Sequence, residues 1–167
     1  MRRLILICVL VAALVAAAGA GAESSRQQGG MIGTIRIPVI GVNLQVQQDT
    51  GELEPGYYPM HYGGTALPCD RETVAIAAHH ATHGQPFGRL WQLHAGDVIT
   101  LVMKSKACSG IFRYRVTGQR VYPCGSAFYT CPAADAGFRN MGQNKLILTT
   151  CDDNGFVRRF VYAYAIN

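Results

Sequence analysis

The chain has 167 residues, of which 49% are hydrophobic and 15% are charged, and its formal net charge is +5. A chain of this size buries one ordinary hydrophobic core and has no room for a second large domain. Arg2 and Arg3 supply two of the five charges, so the part after Ala22 carries only +3. No run of basic residues with interleaved aromatics accompanies this mild excess, and we therefore expect no nucleic-acid partner.

The N-terminus has the pattern of an export signal. Arg2 and Arg3 precede an apolar run that begins at Leu4, and the segment ends in the small residues Gly19–Ala22. A small-x-small triplet before Glu23 favours cleavage, whereas the 19 residues from Leu4 to Ala22 suffice to span a bilayer. We predict that 1–22 is a signal peptide or a signal anchor, which places the protein outside the cytoplasm, either secreted or attached to the membrane.

Residues 23–30 are rich in Ser, Gln and Gly, a composition that predicts a flexible tether before a folded domain at 31–167. Short apolar runs separated by Gly, Pro, Asn and Asp follow, and most contain many β-branched or aromatic residues. The runs are Ile32–Ile37, Val42–Val46, Thr73–Ala78, Val98–Met103, Ile111–Val121, Lys145–Thr150 and Arg159–Ile166. Helical patterns are confined to stretches near Phe87–Leu93 and Pro132–Asn140. The pattern predicts a mostly β domain that forms a barrel or a sandwich.

The six cysteines provide the next clue. Without Cys8, which lies in the export segment, five remain: Cys69, Cys108, Cys124, Cys131 and Cys151. An odd number in an exported chain leaves at least one thiol outside any disulfides. The short loop between Cys124 and Cys131 favours a disulfide there, with Cys69 and Cys108 as a second possible pair. No Cys-x-x-Cys pair is present, which argues against a zinc site.

Cys151 is the candidate nucleophile. It ends an apolar run and precedes a turn-forming segment, and the end of a strand at a loop is a position where a scaffold presents reactive groups. A buried structural thiol is the other interpretation. A reactive thiol needs a base or cation to form thiolate, and acyl transfer needs donors for an oxyanion. His79 at the end of one run and Arg159 at the start of another supply both residue types.

These residues resemble the sortase family, and the motifs are closest to its class D and E members. Ile147–Cys151 resembles the signature Thr-Leu-x-Thr-Cys, with Ile147 in place of the first Thr. Three further segments match in chain order: Ile35–Ile40 resembles the first-strand Ile-Pro-x-Ile, Ala77–Phe87 the Ala-Gly-His-Arg segment with its Gly-x-Pro-Phe continuation, and Arg159–Tyr162 the arginine-led last strand. Four ordered elements spread over one domain are a specific signal.

Two assignments depend on register. Counting back from Pro86-Phe87 places His79 at the family's catalytic position, with His80 and His83 beside it. A metal cluster of these three histidines is a competing interpretation, but they follow a strand pattern and lie in its exit loop, so we expect no metal ion and no cofactor.

The arginine is the second assignment. Strand alternation places Arg159 on one face with three small residues and puts the bulky residues on the other; the two sets are Val161, Ala163 and Ala165, and Phe160, Tyr162, Tyr164 and Ile166. If the bulky face is the core, Arg159 points into a substrate groove. One inserted residue, as in some family members, favours Arg158 instead.

The resemblance implies a closed eight-stranded β-barrel with short helices and a two-step acyl transfer. Cys151 would cleave a C-terminal Leu-Pro-x-Thr-Gly-type sorting signal between Thr and Gly, with His79 as acid and base, Arg159 as oxyanion or substrate donor and Thr150 lining the groove. The partners implied are sorting-signal peptides of exported proteins and an amine acceptor, either a cell-wall precursor or a pilin lysine. A pilin-polymerising enzyme, a hydrolytic thiol peptidase and a non-catalytic barrel that binds a ligand are the alternatives.

Overall fold

The computed structural model describes residues 29–49, 56–124, 142–151 and 156–166. Eight β-strands run through these ranges: β1 (Met31–Ile37), β2 (Val42–Gln48), β3 (Met60–His61), β4 (Thr73–Ala77), β5 (Val98–Lys104), β6 (Ser109–Pro123), β7 (Lys145–Cys151) and β8 (Val157–Ile166). Each of the seven predicted runs coincides with a strand to within two residues. No pattern predicted β3, because two residues are too few to show a period.

The strands form a closed barrel in the order β1-β2-β3-β4-β7-β8-β6-β5, and β5 pairs back to β1. This confirms the predicted fold class. Short 3-10 helices occur at Pro38–Ile40, Pro68–Asp70 and Leu90–Gln92, so the helical stretch predicted near Phe87 is one short turn. The helix predicted at Pro132–Asn140, the export segment and most of the tether lie outside the described residues. No helix in the described ranges is long and apolar enough to cross a membrane.

Alternating side chains fill the barrel interior. Along β5, Ile99, Leu101 and Met103 point inward and are buried, whereas Val98 and Lys104 at the two ends of the strand are exposed. β4 and β7 differ, because all of β4 and all of β7 except Cys151 are buried. Their inner face packs in the main core, and their outer face packs in a second, smaller cluster, which we call the outer aromatic cluster. Its members are Ala75, Ile147 and Phe160, with Tyr62, Tyr122 and Tyr162 packed against them.

Two strand pairings decide which residues meet at the rim of the barrel. β4 and β7 are parallel, and their register runs from Thr73 opposite Lys145 to Ala77 opposite Thr149. Both strands therefore end at the same edge. β8 starts at that edge and runs antiparallel to β7, with Cys151 opposite Arg158. The carboxyl ends of two strands and the start of a third are thus brought together.

One disulfide is defined within the described ranges. Cys69 and Cys108 are bonded, with their Cα atoms 5.6 Å apart, and they tie the loop before β4 to the turn before β6. This confirms the second predicted pair. Cys124 is also disulfide-bonded, but Cys131, its predicted partner, lies outside the described residues. A crosslink between residues 39 apart in sequence stabilises the fold by restricting the unfolded chain.

The short strand β3 carries a buried histidine. His61 is 3% exposed. Its Nε2 donates to the carbonyl oxygen of Ala66 at 2.9 Å, and its Nδ1 lies 3.1 Å from Oε1 of Gln48. Burial lowers the pKa of His61, although the Ala66 carbonyl and the Asp49 carboxylate both oppose that shift. The imidazole therefore fixes the loop after β3 to the end of β2.

His61→Gln is expected to destabilise the fold in a pH-dependent way. The variant should lose about 1–3 kcal/mol of unfolding free energy at pH 7.5, because buried hydrogen bonds are lost. In the unfolded chain His61 takes up a proton near pH 6.5, whereas burial lowers its pKa in the folded protein. The wild type should therefore lose stability as the pH falls below about 6.5. The difference in unfolding free energy between the wild type and His61→Gln should therefore be smaller at pH 5.5 than at pH 7.5. Urea denaturation at pH 7.5 and 5.5 measures it, with exposed His94→Gln as control; an equal gap at both pH values would contradict the assignment.

Candidate active site

Cys151 occupies the last position of β7 and is half-buried. Among the cysteines that the structure describes, it is the one with a free thiol. The six preceding residues are fully enclosed, so the strand fixes the backbone of Cys151 while its side chain reaches the barrel rim. The predicted turn that follows, Asp152–Gly155, lies outside the described residues.

His79 lies two residues beyond β4, at the same edge of the barrel. The amide of Ala78 donates to the carbonyl oxygen of Thr149 at 3.2 Å, which extends the parallel pairing past the last ladder pair, Ala77 with Thr149. Continued two positions beyond Ala77 and Thr149, this register sets His79 opposite Cys151. The two residues that the sequence motifs selected therefore belong to the same edge of the barrel.

Thr150 has a different position from the one predicted. It is 3% exposed, and its hydroxyl donates to the carbonyl oxygen of Ala78 at 2.7 Å. Its side chain lies on the face of β7 opposite to that of Cys151, so the prediction that Thr150 lines the groove is wrong. Its bond instead ties the residue before the nucleophile to the residue before the histidine.

The arginine that faces Cys151 is Arg158, not Arg159. Nη2 of Arg158 lies 4.0 Å from Sγ of Cys151, as the register of β7 and β8 requires. Arg159 points away, and its Nη1 donates to Oε1 of Gln119 at 2.6 Å. Gln119 in turn donates to the carbonyl oxygens of Trp91 and Leu93, so this arginine belongs to a network that holds the 3-10 helix over β6.

The prediction that Arg159 faces the groove was wrong because it assumed that the bulky residues of β8 face the main core. Val161 and Ala163, the small residues on the Arg159 face, are fully buried in the main core. Phe160, on the Arg158 face, is equally buried, but in the outer aromatic cluster. Large side chains therefore do not identify the face of β8 that points into the barrel, because both faces of the strand carry buried residues.

Tyr62 is a site residue that the sequence analysis missed. It follows β3 directly, and Nη1 of Arg158 lies 3.5 Å from its hydroxyl oxygen, in position to donate. Its amide donates to the carbonyl oxygen of Ala75, which fixes it beside β4. Burial raises the pKa of Tyr62, and the nearby Arg158 charge only partly offsets this, so the phenol stays protonated at neutral pH. No periodic pattern surrounds Tyr62, because β3 is so short.

Two further histidines, His80 and His83, lie in the loop after His79. The rings of His79 and His83 are stacked, with centroids 4.4 Å apart and planes inclined by 19°. The nitrogen lone pairs of stacked rings lie in nearly parallel planes and do not converge on one ion. Within the described residues, no group of three His, Cys, Asp or Glu side chains is arranged to hold a metal.

Comparisons with known proteins agree with this fold. The sortase domain model matches residues 35–165. Sortase E1 from Streptomyces coelicolor, solved with a tripeptide in its active site, has 22% identity and a TM-score of 0.63 over 83% of this chain and 90% of its own. A Clostridium perfringens sortase D5 transpeptidase has 21% identity and a TM-score of 0.63, over 87% of this chain and 89% of its own. Sortase A from Corynebacterium diphtheriae has 19% identity and a TM-score of 0.64, over 83% of this chain and 62% of its own.

No curated protein matches the chain in sequence. At these identities the solved structures establish the fold, whereas the family model covers most of the chain. The described residues at the rim also include a free thiol, a histidine and an arginine on three adjoining strand ends. The chain belongs to the sortase family of cysteine transpeptidases.

Proposed function

We propose that this protein cleaves a sorting signal of the Leu-Pro-x-Thr-Gly type between Thr and Gly and transfers the new carboxyl end to an amine at the cell envelope. The observation that carries the proposal is the approach of Arg158 to Cys151, 4.0 Å between Nη2 and Sγ, at the edge where the strand before His79 also ends. A thiol, a cation and an imidazole at one rim are the groups that acyl transfer through a thioester requires.

In the first step, Sγ of Cys151 as thiolate bonds to the Thr carbonyl carbon, and the carbonyl oxygen takes the negative charge. Arg158 is positioned to donate to that oxygen or to the peptide backbone beside it. The Thr–Gly bond then breaks, and the Gly nitrogen leaves as an amine after taking a proton from His79. The product of this step is a thioester between Cys151 and the signal.

In the second step, an incoming amine attacks the thioester carbon. His79, now neutral, takes the proton that the amine loses, and Cys151 leaves as thiolate. The enzyme returns to its starting protonation state. Water in place of the amine gives hydrolysis, so the balance between transfer and hydrolysis depends on which nucleophile reaches the thioester first.

The partly exposed rings of the outer aromatic cluster, those of Tyr62, Tyr122 and Tyr162, offer a surface for the substrate on the Cys151 side of the barrel. They cover Ile147, which lies on the same face of β7 as Cys151, and Phe160, which lies on the same face of β8 as Arg158. An extended peptide with apolar side chains suits such a floor, which supports a sorting signal that begins with Leu-Pro.

We further propose that the predicted export segment at 1–22 delivers the domain to the outer side of the membrane, where sortases act. The acceptor is then a cell-wall precursor amine or a pilin lysine. A labelled Leu-Pro-x-Thr-Gly peptide, incubated with an oligoglycine, a diaminopimelate-containing peptide or a pilin lysine peptide, tests both halves of the proposal. Mass spectrometry should find the Thr carboxyl joined to one of these amines, whereas an uncut signal in every mixture would refute it.

Tyr62→Phe is expected to lower kcat/KM by about 5- to 10-fold, because Arg158 loses one hydrogen-bond partner and with it part of its fixed orientation. The fold should be unaffected, since the ring remains in the outer aromatic cluster. Peptide cleavage measured by chromatography gives the ratio. Tyr58→Phe is the matched control, because Tyr58 is 41% exposed and should tolerate the change. Equal rates for both variants would remove Tyr62 from the site.

A further inference from the structure

His83 lies where it can act on His79. Their ring centroids are 4.4 Å apart and the planes are inclined by only 19°, so the rings overlap face to face. On its other side, His83 meets the ring of Tyr57 edge-on at 5.0 Å. Three rings from two separate segments are therefore in contact, and the stacked pair ends on the predicted catalytic histidine.

The backbone of the loop maintains this arrangement. His83 and Gln85 adopt left-handed conformations, with φ of 51° and 55°, and Gly84 between them has φ of 78°. Such conformations are unfavourable for residues with a side chain and persist where the surroundings fix them. Here the amide of Phe87, a residue with no exposed surface, donates to the carbonyl oxygen of His79 at 3.0 Å, which closes the loop.

Side-chain and turn contacts orient His83 further. Its Nδ1 lies 3.1 Å from the hydroxyl of Thr82, and the amide of Gln85 donates to the Thr82 carbonyl oxygen at 2.8 Å. Gly88 leaves no room for a larger residue, since a Cβ there would lie 2.9 Å from the His80 carbonyl oxygen. The loop is thus built tightly around a turn that presents one imidazole to another.

We infer that His83 is a positioning residue for the acid–base reaction, stacking on His79 and holding that imidazole in its working orientation. The inference rests on the proposed function, in which His79 gives and takes a proton. A neutral imidazole that lies flat against an imidazolium stabilises the cation through its π face. When His83 carries a proton as well, the two like charges oppose each other.

Other titratable and charged groups adjoin this stack. Cys151 ends β7 beside His79, Arg158 on β8 faces Cys151, and Tyr57 faces His83 from the segment before β3. His80 is the next residue on the loop itself. Among these groups, His83 has its ring stacked on that of His79.

Two substitutions separate stacking from charge. His83→Phe keeps an aromatic face and cannot take a proton, whereas His83→Ala removes both. We expect His83→Ala to lower kcat by about tenfold and His83→Phe to recover most of that loss. Both should fold, since His83 is exposed.

The decisive readout is the NMR chemical shift of the His79 ring protons at one fixed pH, which does not depend on turnover. An aromatic face stacked at 4.4 Å moves these protons upfield, so the wild type and His83→Phe should both show upfield resonances. His83→Ala should lose that upfield shift together with most of kcat. The same His79 chemical shifts in all three proteins would overturn the inference. Stacked-ring shifts in a wild type that does not cleave the signal would instead count against the proposed function alone.

Discussion

Cys151→Ala is expected to reduce signal cleavage by about 10⁴-fold or more. The thioester cannot form without Sγ, and His79 and Arg158 alone do not supply a nucleophile. The fold should remain intact, because Cys151 lies at the rim and outside the two buried clusters. Peptide cleavage under single-turnover conditions measures the loss, and thermal denaturation confirms folding.

Cys151→Ser is the matched control for this experiment. It keeps the size and a hydroxyl but has a far higher pKa than a thiol, so it should be nearly as inactive as the alanine variant. Cleavage at more than one percent of the wild-type rate by folded Cys151→Ala protein would show that Cys151 is not the nucleophile.

Arg158→Ala should have the second largest effect, a loss of about 10²- to 10³-fold in kcat, because a charged donor to the developing oxyanion is removed. Arg158→Lys should recover only part of it, since a lysine does not keep the paired guanidinium contacts to Cys151 and Tyr62.

Arg159→Ala is the matched comparison for Arg158→Ala, because the two arginines are neighbours in one strand. Its loss breaks the contact to Gln119 and should lower stability by about 1–3 kcal/mol while leaving kcat within a few-fold of the wild type. Steady-state kinetics and urea denaturation of both variants decide between them. A larger loss of kcat for Arg159→Ala than for Arg158→Ala would reverse our assignment.

The fold was largely predictable from the sequence, and the reason is visible in the strands. Runs such as Val98–Met103 alternate at the period of a strand with one face in the core, and closure into eight strands followed from the resemblance to sortases. The two residues of β3 were not predictable. Nothing in the sequence pattern therefore indicated that His61, on that strand, is buried in the closed barrel.

The site was predictable in part. The motifs place Cys151 and His79 relative to two strand ends, and the parallel pairing of β4 and β7 puts those ends at one edge of the barrel. Arg158 was only the alternative to Arg159, because alternation in β8 shows two faces without showing which of the two buried clusters each one joins. Alternation in the sequence indicates that a face of β8 is apolar. The pairing of Arg158 with Cys151 shows which face lies on the side of the nucleophile.

Contacts between residues distant in sequence were beyond the reach of sequence patterns. Tyr62 reaches Arg158 across 96 positions, and Thr150 reaches Ala78 across 72. The Cys69–Cys108 disulfide was a secondary prediction for the same reason, since its cysteines lie on opposite sides of a long segment and share no local signature.

Intact-protein mass spectrometry of the trapped acyl enzyme tests the central claim most directly. The protein is mixed with a Leu-Pro-x-Thr-Gly peptide without an amine acceptor, quenched in acid within seconds and digested to locate the adduct. We predict a mass increase equal to the signal through Thr less one water, carried by Cys151 and absent from Cys151→Ala. No adduct on the wild type while the signal is cleaved, or an adduct that persists in Cys151→Ala, would contradict a thioester mechanism at this residue.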